Sequence, residues 1–299
     1  MLSPFFIDNK QLTLVRFPLG QVNRSLQAWD SADEYLLNYL KEQQLISTTS
    51  KVAIFNDAFG ALTTHFCSSA TTQAKADVYC VNDSYISSQG ITYNIKHNQL
   101  CADNITSLHC LDPLPDNIDV ILFKIPKSKS LLIEQLIKIK NSASPNTVFI
   151  AGDRAKEIHS ATLKLFEKYL GTTTTSLAVK KSRLVFCQLD EKQKHQSPFP
   201  TLWSLANQAL NREFSISNHA NVYSREKLDI GARYFIENLP EVEKNCQVID
   251  LGCGNGVIGL TVLAQQPTAN IQFFDESHMA ITSAELNIKT NLPNLINFC

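Results

Sequence analysis

The stretch Asp250-Leu-Gly-Cys-Gly-Asn-Gly256 decides the fold of the C-terminal part of the chain. It continues the apolar run Gln247–Leu251, which predicts a strand, and it precedes Val257–Ala264, which predicts a helix. A glycine loop between a parallel strand and a helix lets the backbone approach a ligand where a side chain would collide. Strand, loop and helix together predict a Rossmann-like α/β domain that binds a ligand at the loop.

Two acidic residues distinguish among the ligands that such a loop binds. Asp250 lies two residues before the first glycine, and Asp275 ends the next predicted strand, Asn270–Phe274. A carboxylate at the first position repels a pyrophosphate but attracts the ammonium group and the nearby sulfonium of S-adenosylmethionine. An acid at the second position suits ribose hydroxyls in either cofactor class. We therefore expect S-adenosylmethionine, with a nicotinamide cofactor or a purely structural loop as the alternatives.

Residues 51 to about 190 predict a complete doubly wound α/β domain. A helix with a capping box is predicted from Ser31, and further helices begin at Leu131 and Ala161. Gly171 is the expected C-cap of the last helix. Apolar, β-branched runs predict buried parallel strands, and an antiparallel pair joined by a basic turn follows. These strands are Val52–Phe55, Val78–Val81, Val120–Phe123, Val148–Ala151, Thr173–Val179 and Arg183–Leu189.

The two predicted domains share an internal repeat. Lys51–Leu62 parallels Gln247–Ile258, with Gly60 at the position of Gly256. The first copy thus keeps the framework and lacks the ligand-facing residues, unless the likeness of strand, loop and helix arose by chance. The replacements are Ile54 for Asp250, Asn56 for Gly252 and Ala58 for Gly254.

Composition excludes several classes of protein. Hydrophobic residues make up 44% and charged residues 18%, and the net charge is −1, as is ordinary for a globular protein. No apolar run reaches the roughly 20 residues of a membrane span, and no signal peptide is visible, so we expect a cytoplasmic protein without a membrane partner. Eight scattered cysteines indicate reduced thiols and no metal site. Lysine clusters at 124–129 and 180–183 are either phosphate contacts or solvated surface.

Longer stretches resemble one family. The chain is similar to the bacterial ribosomal RNA guanine-N2 methyltransferases, most of all the large-subunit (23S rRNA) enzymes and next their small-subunit (16S rRNA) relatives. The resemblance runs from Leu12 to Leu295 and rests on six stretches, of which the last, Val248–Leu260, is common to many methyltransferases. The stretches are Leu26–Leu37, Asn56–Leu62, Gly171–Thr175, Asn218–Arg225, Leu228–Arg233 and Val248–Leu260.

The resemblance implies tandem Rossmann-like class I methyltransferase domains. Residues 1–190 would form a complete but degenerate domain that helps hold RNA, and the polar, proline-containing residues 191–212 would be a linker. Residues 213–299 would bind S-adenosylmethionine and methylate the exocyclic amine of one guanine in 23S rRNA, either naked or in a partly assembled large subunit. Neither the target guanine nor the oligomeric state follows from the resemblance.

The resemblance also implies a cofactor site without metal ligands. The glycine loop would hold the cofactor, Asp275 the ribose, and Glu276 and Ser277 the adenosine side, while Tyr223 and Ser224 would close the methionine end. The full set is Asp250, Gly252, Gly254, Asn255, Gly256, Asp275, Glu276, Ser277, Tyr223 and Ser224.

One family motif is missing from residues 1–299. The family places Asn-Pro-Pro and an aromatic residue after the fourth strand, where they bind the amine of a guanine that has left any duplex. The nearest echo, Phe123–Lys127, follows the fourth strand of the degenerate domain. We therefore expect a C-terminally truncated chain, with the catalytic motif beyond Cys299 and the second domain ending after its first strands.

We predict that the 299-residue polypeptide is catalytically inactive. Without later strands, Val248–Leu251 would have an unpaired edge, and the C-terminal domain would be marginally folded. Methyl transfer to ribosomal RNA by this polypeptide would contradict the prediction. The alternative is a non-catalytic RNA-binding protein built on the first domain, which would bind RNA through residues 1–215 without binding S-adenosylmethionine.

Overall fold

The computed structural model describes residues 3–7, 10–20, 26–67, 76–190, 194–207 and 212–294. The chain divides into two compact units, Met1–Gln196 and Ser197–Cys299. Among the described helices, none combines the length and the apolar character that a membrane span requires.

The first unit contains a seven-stranded sheet with the strand order β5-β4-β3-β6-β7-β9-β8 and a separate β1-β2 hairpin. Strands β3 to β7 are parallel, and β9 runs antiparallel to both of its neighbours. The predicted doubly wound sheet with an antiparallel edge pair is therefore confirmed. The elements are β1 (Ser3–Ile7), β2 (Lys10–Leu14), α1 (Ser31–Glu42), β3 (Lys51–Phe55), α2 (Thr63–Phe66), β4 (Asp77–Asn82), α3 (Tyr85–His97), β5 (Ile105–His109), β6 (Val120–Lys124), α4 (Lys129–Ser142), β7 (Val148–Arg154), α5 (Ser160–Tyr169), β8 (Gly171–Thr175) and β9 (Ser182–Leu189).

The second unit contains a hairpin and a parallel strand pair, β12-β13. Within the described residues β12 has β13 as its sole strand partner, and Ile249 and Leu251 are 64% and 82% exposed. The unpaired edge that the sequence predicts is present in this part of the chain. The elements are β10 (Thr201–Asn207), β11 (Arg212–Asn218), α6 (Ile230–Glu237), β12 (Gln247–Leu251), α7 (Val257–Gln265), β13 (Asn270–Phe274) and α8 (His278–Asn291).

The predicted linker over 191–212 is wrong in its second half. Thr201–Asn207 form β10, which pairs with β11 in the same hairpin. Alternate side chains of β10, Trp203 and Leu205, pack into the core of the second unit, so this unit begins before the predicted boundary. Residues 191–193 and 208–211 lie outside the described residues.

Two predicted element ends are also corrected. The capping box of α1 uses Asp30 as the N-cap and Asp33 as its partner, where the sequence favoured Ser31. Leu170 is the C-cap of α5, and Gly171 begins β8 with φ +137°. The position requires glycine because a Cβ there would lie 2.3 Å from the Gln188 carbonyl oxygen.

Two asparagines of α3 hold the edge of β2 in the first unit. The Asn94 amide accepts from the Val15 N–H and donates to the Val15 carbonyl, both at 2.8 Å. Asn98, one turn later, makes the same pair of bonds to Thr13 at 2.7 and 2.9 Å. Asn94 also donates to the carbonyl of Phe59 in the loop after β3. We call these two side chains the asparagine clamp of the first unit.

The second unit repeats this asparagine clamp at corresponding positions. Asn287 of α8 bonds both backbone groups of Ser217 at 2.7 and 2.9 Å, and Asn291 bonds both groups of Ser215 at 2.8 Å. Asn287 also donates to the carbonyl of Asn255, the loop position that Phe59 occupies in the first unit. The repeat therefore includes the hairpin before the first strand and the helix after the second, and chance no longer accounts for it.

In the first unit, the residue at the position of Gly252 is Asn56, whose side chain is bonded within the unit. Asn56 has φ +61° and donates to the Lys124 carbonyl at 2.8 Å, and its amide exchanges two bonds with Gln135. Lys124 ends β6, where its ammonium lies 2.7 Å from Asp30 and 2.8 Å from Asp33. Lys124 is thus an internal ion-pair partner and is unsuited to contact a phosphate at the surface.

The carboxylates around Lys124 are strongly affected by burial. Burial raises the pKa of Asp33 to about 6, although the Lys124 charge opposes this shift. For Lys124 itself, burial disfavours the charged form, but the charges of Asp33 and Asp30 outweigh it and raise the pKa of the lysine. The cluster is therefore held together by mutual charge compensation.

Replacing this lysine, as Lys124→Met, should destabilise the first unit by about 3–5 kcal/mol at pH 8, because two acids lose their counter-charge in a buried site. Without the cation the pKa of Asp33 rises further and that of Asp30 is no longer lowered by Lys124, so the native state binds protons more tightly than in the parent and the loss shrinks toward pH 5. Urea unfolding at both pH values measures this. Lys129→Met, at an exposed lysine of the same unit, should change stability by less than about 0.5 kcal/mol; equal losses in both variants would contradict the prediction.

Candidate cofactor site

The glycine loop of the second unit is fastened at several points to neighbouring backbone. The N–H groups of Gly252 and Cys253 both donate to the Phe274 carbonyl, at 2.7 and 3.0 Å. Gly252, Gly254 and Gly256 have φ values of +72°, +54° and +74°, a left-handed conformation that favours glycine. The loop therefore holds a fixed shape between β12 and α7 before any ligand binds.

The glycines of this region divide into two groups. A Cβ on Gly252 or Gly254 would meet nothing within 4 Å, so these two positions border open space. A Cβ on Gly256 would lie 2.7 Å from the Cβ of Ala284, and one on Gly259 would lie 2.3 Å from the ring of Phe273. The first group leaves a cradle for a ligand, and the second allows α7 to pack closely against its neighbours.

Asp250 stabilises the loop through a bond within the protein, and its predicted contact with the cofactor stays a prediction. Its side chain is buried, and Oδ2 accepts from the Gly259 N–H at 3.0 Å, which joins the end of β12 to the first turn of α7. Burial raises the pKa of Asp250, the Gly259 bond opposes the shift, and the nearby charge of Asp275 adds to it.

Asp275 lies directly against the cradle. Its Oδ2 accepts from the Gly254 N–H and its Oδ1 from the Ser277 N–H, both at 2.9 Å. A carboxylate has about four acceptor positions, so each oxygen retains one for a further donor. Two adjacent ligand hydroxyls are the group that this arrangement fits. Asn82 holds the corresponding place at the end of β4 in the first unit.

A cavity of about 440 Å³ adjoins the cradle, within the size range of small-molecule sites. Of the predicted residues, its lining includes Tyr223, Ser224, Gly252, Gly254, Asn255 and Asp275. The remaining four are not among the described lining residues, and their roles in cofactor binding stay predictions. They are Asp250, Gly256, Glu276 and Ser277, the last of which is the N-cap of α8.

The segment from Tyr223 to Asp229 forms one side of the cavity, and its hydrogen bonds are the part of the site that the sequence predicts least well. Asp229 caps α6, since its Oδ2 accepts from the N–H groups of Gly231 and Ala232. Its Oδ1 accepts from the Tyr223 hydroxyl at 3.2 Å. Ser224 has φ +51° and donates its hydroxyl to the Lys227 carbonyl.

Some lining residues were not predicted as site residues. These are Cys253, Lys227, Leu228, Asp229, Gly231, Ala232, Phe235, Val257 and Ile258. An acid before an apolar helix is a capping signal, and it could have drawn attention to Asp229. No sequence pattern shows that α6 faces the glycine loop.

Two family models match the chain. The model described as RLMG N-terminal domain matches residues 3–191, and the model described as Methyltransferase small domain matches residues 213–299. Ribosomal RNA large subunit methyltransferase G of Colwellia psychrerythraea is 67% identical over 303 residues, covering 100% of this chain and 77% of that protein. Its namesake in Pseudoalteromonas translucida is 46% identical, covering 98% and 74%.

A solved structure shares the fold. The 16S rRNA methyltransferase RsmC of T. thermophilus, in complex with AdoMet and guanosine, superposes with a TM-score of 0.69 at 15% identity, covering 97% of this chain and 72% of that one. Fold, glycine loop and family models define an S-adenosylmethionine-dependent class I methyltransferase, which confirms the expected cofactor and excludes the nicotinamide alternative. Within that class, the chain belongs to the ribosomal RNA large subunit methyltransferase G family.

The comparisons give no support to the expectation of a truncated chain. The shares of the relatives that are covered do not say where this protein ends, and the predicted inactivity of residues 1–299 stays a prediction.

The two groups of glycines should respond differently to alanine. Gly254→Ala should cost about 1–2 kcal/mol of stability from its left-handed backbone and should weaken S-adenosylmethionine binding at least tenfold, because the methyl group enters the cradle. Gly256→Ala should lower the melting temperature more, since its Cβ would collide with Ala284. Calorimetric titration and thermal unfolding separate the two effects. Unchanged cofactor affinity in Gly254→Ala would contradict the assignment of the cradle.

Proposed function

We propose that this protein transfers a methyl group from S-adenosylmethionine to the exocyclic N2 of one guanine in 23S ribosomal RNA. The observation that carries the proposal is the open cradle at Gly252 and Gly254 beside Asp275, in a chain 67% identical to a ribosomal RNA large subunit methyltransferase G. S-adenosylmethionine supplies the methyl group on a sulfonium sulfur. The reaction takes place in the cytoplasm, where the RNA is available.

The described residues bind and orient the cofactor. Asp275 would accept both ribose hydroxyls through its remaining acceptor positions, and Gly252 and Gly254, which border open space, would leave room for the cofactor. Tyr223 and Ser224 border the methionine end, with Tyr223 held by its bond to Asp229. The sequence assigned these roles by resemblance, and the lining of the cavity supports them for five of these residues.

The first unit serves to hold RNA. The Asn56 side chain, at the position of Gly252, bonds to Lys124 and Gln135 of the same unit, which favours a binding role over a catalytic one. The turn between β8 and β9 carries two exposed lysines, Lys180 and Lys181, with φ values of +47° and +68°. Lysines are unfavourable in this left-handed conformation, so cations are retained there at a cost in stability.

A non-catalytic RNA-binding protein is the second candidate function, and the self-bonded first unit favours it. The two candidates differ in the fate of the cofactor: the methyltransferase consumes S-adenosylmethionine, whereas the binding protein leaves RNA unmodified. Methylation assays on naked 23S rRNA and on partly assembled large subunits would show which of these two forms of the RNA is the substrate.

Deleting the gene from its host should remove one N2-methylguanosine from 23S rRNA and none from 16S rRNA. Nuclease digestion followed by mass spectrometry measures both RNAs. The parent gene and a Glu241→Gln variant, which changes an exposed acid of the second unit, should restore the modification. Asp275→Asn should not, because loss of its charge-assisted bonds costs about 1.5–3 kcal/mol each. Loss from 16S rRNA, or no loss at all, would overturn the proposal.

A further inference from the structure

Three buried asparagines of the second unit form one hydrogen-bonded network. Asn287 donates to the backbone carbonyl of Asn255 at 2.9 Å, and the Asn255 amide donates to Oδ1 of Asn218 at 2.9 Å. Asn218 and Asn287 have no exposed surface, and Asn255 is 8% exposed. Since water does not reach these groups, each bond that is lost leaves a donor or an acceptor without a partner.

The network joins two parts of the cavity wall. Asn255 belongs to the glycine loop and lines the cavity, while Asn218 ends β11 and leads into the segment 219–224. That segment contributes Tyr223 and Ser224 to the same cavity. Asn287 also bonds both backbone groups of Ser217, so one side chain fixes the loop and the end of β11 together.

We infer that Asn287 and Asn218 are positioning residues for the cofactor. They set the placement of the glycine loop relative to the segment 219–224, and hence the width of the cavity where the methionine end of S-adenosylmethionine would lie. Among the described residues neither side chain lines the cavity, so both act through Asn255. The inference rests on the proposed cofactor role of this loop.

A comparison with the first unit distinguishes this positioning role from a purely structural one. Asn94 makes the same contacts as Asn287, to Val15 and to the Phe59 carbonyl, and it is equally buried. The amide link between Asn218 and Asn255 is absent there, and the Arg16 guanidinium lies 4.9 Å above the Phe59 ring instead. The asparagine clamp is thus common to both units, whereas the amide link occurs in the unit that has the cradle.

The test is calorimetric titration of the full chain with S-adenosylmethionine, with thermal unfolding of each variant. Asn287→Ala and Asn218→Ala should each raise the Kd at least about tenfold, the equivalent of one lost buried bond. Asn94→Ala removes the same bonds in the unit without the cradle, and Asn291→Ala removes the Ser215 pair one turn further along α8. Both controls should lower the melting temperature and change the Kd by less than about twofold.

A double variant tests the shared route through Asn255. Asn218→Ala combined with Asn287→Ala should raise the Kd by clearly less than the product of the single effects, because both act on one loop residue. If Asn287→Ala does not fold, Asn218→Ala still decides the question, since it leaves the clamp intact. Kd values within twofold of the parent, or equal losses in the controls, would overturn the inference. A parent chain that does not bind S-adenosylmethionine would count against the proposed function instead.

Discussion

A strand edge that runs along a helix inside a protein must find partners for its backbone N–H and C=O groups. In both halves of this chain, two asparagines one turn apart on a helix act as the missing neighbour strand, each amide bonding both groups of one residue. The first asparagine of each pair, Asn94 or Asn287, also donates to a carbonyl of the loop after the first strand. The positions of hairpin, helix and loop are therefore fixed together, and the cradle depends on all three.

Sequence reasoning predicted most of the parallel strands, because a strand covered on both faces must be apolar along its whole length. It missed β10, because this strand comes directly after Pro198 and Pro200 and the polar, proline-containing stretch resembles a linker. It did not foresee the bond from the Gly259 N–H to Asp250, since a carboxylate at a strand end looks the same in the sequence whether it contacts a cofactor or a neighbouring N–H. The asparagine clamp was invisible because its partners lie 70 or more residues away in the chain.

In the cofactor site, glycines that are packed against protein atoms and glycines that border open space lie close together in the chain. Gly256 and Gly259 are small because protein atoms lie against them, whereas Gly252 and Gly254 are small because nothing does. Asp275 contributes to both, since its Oδ2 holds the loop at Gly254 while each of its oxygens retains one acceptor position for a ligand. A single pattern of glycines and acids in the sequence thus serves packing and binding at once, and only coordinates distinguish them.

The residues of the asparagine clamp are not the residues of the cradle, and this has a consequence for how the sequence of a repeated domain can change. Where ligand contacts also support the scaffold, mutations that abolish binding unfold the protein and are removed by selection. Here the scaffold is carried by Gly60, Asn94 and Asn98, none of which occupies a ligand-facing position. A unit of this kind can therefore carry other residues at its ligand-facing positions, as at Ile54, Asn56 and Asn82, and remain folded.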